Sequence, residues 1–158
     1  MLKRLLTVFA CVLILGGAGL AAAKKKKTMM SAPAIDKAYL QKILDGWGTL
    51  DPANVAQYYA QGDLLFFDLT PLKYDNWAEY EKGSGAVLKG YKTLKLTLND
   101  DAQIHPAGDV TWTAATVKED ALTSTGKHEL ATIRWTLVLE NQEGKWLIVH
   151  EHVSEPLQ

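Results

Sequence analysis

From Tyr91 onward the apolar residues recur at every second position. Leu94, Leu96 and Leu98 alternate with Lys and Thr, and the alternation returns in later stretches up to Val153. Period two is the pattern of a half-buried strand. Turn signals at 106–109, 123–126 and 141–144 cut this half of the chain into four long strands, an antiparallel meander. Ahead of Tyr91 the period is helical. Leu40, Ile43, Leu44 and Trp47 share one face of a helix over 35–50. Asp51-Pro52 restarts the chain, with Asp as N-cap and Pro at the first helical position. A short second helix carries Val55, Tyr58 and Tyr59 and stops at Gly62, and 64–68 is a short apolar strand. Asn76 with Glu79 resembles a capping box and opens a third helix with Trp77, Tyr80, Val87 and Leu88 on one side. Gly83 and Gly85 weaken that helix by roughly 1 kcal/mol each, which predicts a frayed end. Helices first and a long sheet afterwards make an α+β layout with the helices on one face.

The last strand, 144–154, is apolar on both faces and places Glu151 between His150 and His152. Strands of that kind are covered on both sides. A three-residue loop Gln142-Glu143-Gly144 would pair Asn141 with Lys145. That register puts Ile133, Trp135, Leu137 and Leu139 on one face with Leu147, Val149, Glu151 and Val153. The face is apolar apart from one acid, so it is assigned to the interior. Glu151 beside Trp135 would be desolvated and its pKa raised, which suits a proton shuttle or a hydrogen-bond donor to a ligand. The alternative is a rim glutamate paired with a basic neighbour. The opposite face carries Arg134, Trp146, Ile148, His150 and His152, large apolar groups beside polar ones, the composition of an interface core with its rim. His150 and His152 are roughly 7 Å apart on one strand. Zinc takes three or four ligands and no third residue has a recognisable spacing, so no metal and no cofactor are predicted.

The ends and the charge change the picture in two ways. Lys3 and Arg4 precede an apolar run over 5–20 and the small residues Ala21-Ala22-Ala23, the layout of a signal peptide over 1–23. The lysines 24–27 follow directly and keep an uncleaved membrane anchor open as the alternative. Cleavage implies a secreted or periplasmic protein and removes Cys11, the one cysteine, so no disulfide holds the fold. Residues 24–34 read as a Lys-rich linker and 35–158 as one domain. Loss of Lys3 and Arg4 takes the formal charge of the 158-residue chain from −1 to −3. With no basic stripe interleaved with aromatics, nucleic acid is not a partner.

The element order, the Asp51-Pro52 start, Tyr59-Ala60 running into Asp63 and the strand 64–68, the Gly108-Asp109 hairpin, and the ending from Gly144-Lys145-Trp146 to His152-Val153-Ser154 resemble the nuclear transport factor 2-like superfamily. The ending is similar to SnoaL-like domains and to the association domain of calcium/calmodulin-dependent kinase II. The resemblance implies a cone-shaped fold, with about three helices packed on a curved antiparallel sheet, and dimerisation through the outer sheet face. It also implies that Tyr74, Trp77 and Tyr80 surround a cavity mouth, where they could stack on an apolar ligand. Asp68 falls where ketosteroid isomerases carry their catalytic base; the alternative is a strand-end Asp capping the next turn. The isomerase oxyanion tyrosine aligns with Ile43 and its protonated aspartate falls near Ile133 or Trp135, so steroid isomerisation is not predicted. The expectation is an exported dimer that binds a small apolar organic ligand in a cavity holding Glu151 and Asp68, with Trp135 beside the ligand. The alternatives are an acid/base isomerase, dehydratase or cyclase using Asp68 and Glu151, and an oligomeric scaffold with no ligand. The fold hosts all three, so the fold alone does not choose.

Overall fold

The computed structural model describes residues 33–157. Residues 1–32 lie outside the described residues, and with them the signal-peptide and anchor readings. Among the described residues no helix is long and apolar enough to cross a membrane.

Helix α1, Lys37–Trp47, begins where Asp36 accepts a hydrogen bond from the backbone N–H of Tyr39, and it buries Leu40, Ile43, Leu44 and Trp47. Asp51 caps the next segment through the Ala53 N–H. That segment is two three-residue 3₁₀ turns, Pro52–Asn54 and Ala56–Tyr58. Strands β1, Asp63–Phe67, and β2, Tyr74–Asn76, pair antiparallel and lead into α2, Trp77–Leu88. Asn76 accepts from the Glu79 N–H, and the Glu79 carboxylate accepts from the Asp75 N–H, a cap one residue looser than the reciprocal box. The helix runs through Gly83 and Gly85 without fraying. A Cβ at Gly83 would collide with the Tyr74 ring, so the glycine costs helix propensity and makes room for an aromatic neighbour.

Five further strands follow: β3, Tyr91–Leu98; β4, Gln103–Ala107; β5, Val110–Thr123; β6, His128–Gln142; and β7, Lys145–Ser154. The long strand expected before the Gly108 turn is two strands, β3 and β4, which pair with successive halves of β5. The break falls at Asp101, whose carboxylate accepts from the backbone N–H and the hydroxyl of Thr116. The sheet order is β2-β1-β7-β6-β5-β3, with β1 parallel to β7 and β4 also on β5. The helices cover one face and close a single core, which gives the expected α+β cone.

The β6–β7 hairpin differs from expectation in one detail with large effect. Its loop is two residues, Glu143 and Gly144, both at positive φ, so Gln142 pairs with Lys145. One residue later in register, Val149 is bulged out between the pairs Leu139–Ile148 and Val138–His150. Two single-residue shifts cancel in parity. Beyond the bulge Glu151 and Val153 face inward as expected. On the turn side, Ile148 faces inward in place of Leu147 and Val149.

Candidate functional site

The inner face of β6 presents Ile133, Trp135, Leu137 and Leu139, all buried. Towards the turn, Leu137, Leu139 and Ile148 pack with Leu40 and Ile43 of α1 into fully buried core. Towards the other end the packing stops short and leaves a cavity of about 130 Å³. Its apolar walls include Leu44, Trp47, Leu88, Ile133 and Trp135, and the exposed Leu69 and Val87 mark its mouth.

Glu151 forms part of this cavity's lining and is only 1% exposed. One carboxylate oxygen accepts from the Tyr59 hydroxyl at 2.6 Å and the other from the Trp135 indole N–H. Tyr59 in turn accepts from the Trp47 indole N–H at 3.1 Å. Two aromatic donors therefore hold one acid, and a third, Trp47, holds one of those donors. Burial raises its pKa to about 7; the Tyr59 and Trp135 donors oppose that rise, and the Asp68 charge adds to it. Tyr59 itself is pushed far above the ordinary phenol range by burial and by the Glu151 charge, so it remains a neutral donor.

Asp68 follows β1 directly and lines the same cavity, half-buried. Its carboxylate accepts from the Leu69 N–H at 2.7 Å. Burial raises its pKa, against that bond and the hydroxyl of Tyr80. Tyr80 is buried, lines the cavity and has its ring stacked between Phe66 and Tyr74, with centroids 5.3 Å and 5.0 Å away. Of the three aromatics expected at the mouth, Tyr80 alone lines the cavity. Tyr74 and Trp77 lie behind it in the core, where Trp77 stacks on Tyr59 at 4.3 Å and so steadies the ring that holds Glu151.

Glu119 was not anticipated. On the inner face of β5 it stands between Val117 and Ala121, opposite Leu96 of β3 and Ala131 of β6, and it lines the cavity half-buried. Burial and then the charges of Glu155, Glu129 and Asp68 raise its pKa. The signal was available: Val117, Glu119 and Ala121 keep the period-two alternation, so an acid occupies an inward position. In the sequence Tyr59 is one aromatic of the short second helix, and nothing local marks its hydroxyl as the partner of an acid 92 residues away.

The residues expected at an interface divide. Arg134, His150 and His152 lie on the outer face. His150 donates through Nδ1 to the Leu65 carbonyl at 2.7 Å, and the Phe67 ring stands edge-on to both imidazoles, 5.6 Å and 5.7 Å away. Ile148 has no exposed surface and belongs to the core. Trp146 packs against that core, and its indole donates to the Pro33 carbonyl at 2.8 Å. The bulge at Val149 is the reason: it turns Trp146 and Ile148 inward while His150 and His152 stay outward.

Among solved structures the chain is similar to a nuclear transport factor 2-like superfamily protein from Salmonella enterica, at 18% identity and a TM-score of 0.67 over 77% of this chain and 91% of that one. It is similar also to a candidate calcium/calmodulin-dependent protein kinase II association domain from Xanthomonas campestris, at 22% identity and a TM-score of 0.67 over 82% and 95%. A third is a candidate dehydratase of the same superfamily from Streptomyces avermitilis, at 10% identity and a TM-score of 0.66 over 77% and 93%. At these identities the likeness carries the fold. No curated protein matches the chain. The SnoaL-like domain family matches residues 37–158, and the chain belongs to that family.

Proposed function

We propose that this is an exported SnoaL-like protein that binds a small, mainly apolar organic molecule in the cone cavity and works as a homodimer. The observation that supports binding most directly is Glu151, buried at a cavity wall and held by Tyr59 and Trp135. Ordering a buried acid with two aromatic donors, next to open space, is costly for stability alone and useful for orienting a ligand's polar atom. Dimerisation would use the outer sheet face around Phe67, Val138 and His150, which are half-buried in the single chain. Native mass spectrometry of the protein from its own source tests both parts. A dimer carrying a reproducible adduct is expected, and the adduct should be lost in Trp135→Ala. A monomer without adduct would overturn the reading.

A second reading is favoured by one feature. Glu151 titrates near neutrality and Asp68, also raised, lines the same cavity, the pairing an acid/base enzyme uses. Asp68→Asn would then abolish turnover of the bound molecule while leaving its binding and the fold intact. Unchanged turnover would remove Asp68 from the chemistry.

A further inference from the structure

We infer that the cavity takes a small organic cation, a protonated amine on an apolar body about the size of one ring. This rests on the cavity-binding reading above and adds the ligand's size and charge. Size comes from the volume. An apolar cavity of roughly 150 Å³ accepts benzene, and this one measures about 130 Å³. One ring matches that volume.

Charge comes from what lines the space. Asp68, Glu119 and Glu151 reach it from the end of β1, from β5 and from β7, and no Lys, Arg or His contributes to its walls. Among the described residues the ion pairs are Lys73–Asp75, Lys127–Glu129 and His128–Asp120, so none of the three cavity acids has a cationic partner. Glu151 is almost completely buried, and the Tyr59 and Trp135 side chains that donate to it are both neutral. Lys95 and Lys118 flank Glu119 in the sheet, but each is one position out of step with it and projects from the opposite face. Burial is the first cause that raises all three acids.

Buried charges in proteins are ordinarily paired. Once Glu151 is ionised, above about pH 7, the compensating charge is left to the occupant. A bare metal ion is a poor match: among the described residues no three His, Cys, Asp or Glu converge to ligate one. An ammonium group needs no such convergence, and the aromatic side chains of Trp47, Tyr80, Tyr91 and Trp135 in the lining favour a cation with a hydrocarbon body.

Isothermal titration calorimetry with benzylamine, benzyl alcohol and benzoate at pH 8 tests this, because the three probes share a ring and differ in charge. Benzylamine should bind about tenfold more tightly than benzyl alcohol, a difference of about 1.4 kcal/mol, and benzoate should give no binding heat. Glu119→Gln, at a half-buried position, should bring benzylamine close to benzyl alcohol and leave the alcohol unchanged. Benzyl alcohol binding as tightly as benzylamine, or benzoate binding at all, would overturn the charge inference and leave the cavity reading standing. An unchanged benzylamine preference in Glu119→Gln would overturn the role given to the cavity acids. Failure of all three probes would overturn the cavity reading together with this one.

Discussion

The two ends of the β6–β7 hairpin present the same face to the same layer of helices, yet one end is solid and the other hollow. Near the turn, Leu137, Leu139 and Ile148 meet Leu40 and Ile43 with no exposed surface. Leu139 and Trp135 lie four positions apart on β6, on the order of 13 Å of strand, and over that distance the partners change to Trp135, Glu151, Asp68 and Glu119 around open space. The hollow is therefore no packing accident. Its charged side chains are acids, and the most deeply buried of them is fixed by an indole donor and by a phenol that is itself stacked in place. Protein interiors close such gaps wherever apolar side chains are available to do it. Here the residues at the gap are the wrong chemistry for filling and the right chemistry for holding something.

The contrast makes measurable demands. The largest effect belongs to the solid end: Ile148→Ala should cost about 2–5 kcal/mol in urea unfolding, because it empties a fully packed site. A loss below about 1 kcal/mol would erase the distinction between the ends. At the hollow end the signature is pH. The folded state keeps the Glu151 proton up to about 7, whereas an ordinary glutamate loses it near 4.5. Between those values the folded chain binds more protons than the unfolded one, so stability falls as pH rises through the window. The penalty is absent below it and complete above it. Its size is on the order of 3 kcal/mol, and Glu151→Gln should flatten the slope of unfolding free energy between pH 4 and pH 8. A slope unchanged in that variant would assign the titration elsewhere.

Tyr59→Phe should be smaller and should vary with pH. It removes a donor to a carboxylate at pH 8, a loss of about 1.5–3 kcal/mol, and a donor to a neutral acid at pH 5, a loss of about 1 kcal/mol. Equal losses at both pH values would mean that Glu151 does not change charge between them. Smallest of all, Arg134→Ala on the outer face should leave the unfolding free energy of the subunit within about 0.5 kcal/mol, since the guanidinium is exposed and forms no ion pair among the described residues.

Much of this was legible in the sequence because it is periodic. The α1 face, the Asp51 and Asn76 caps, the inward set on β6 and the inward Glu151 beside Trp135 all follow from spacing. Other features depend on events that leave little periodic trace. A bulge at Val149 reverses which of Trp146 to Val149 face the core, and a two-residue loop with Glu143 at positive φ conceals it from any register counted off the turn. The parallel pairing of β1 with β7, which sets Phe66 opposite Glu151, joins segments with no local relation. The family resemblance implied that Tyr74 and Trp77 stand at the mouth; the space beside Gly83 draws Tyr74 inward instead.

That parallel pairing also orders events in time. Tyr59 and Phe66 are made early, but the strand that pairs with their segments is β7, and the bond from Tyr59 to Glu151 spans 92 positions. Contacts of such long range form late and slowly. A growing chain must carry its uncovered aromatic surface until β7 emerges, which makes this stage the one most exposed to misassociation and to chaperone capture. The cavity has no wall at Glu151 before then, so it is completed in a single late step.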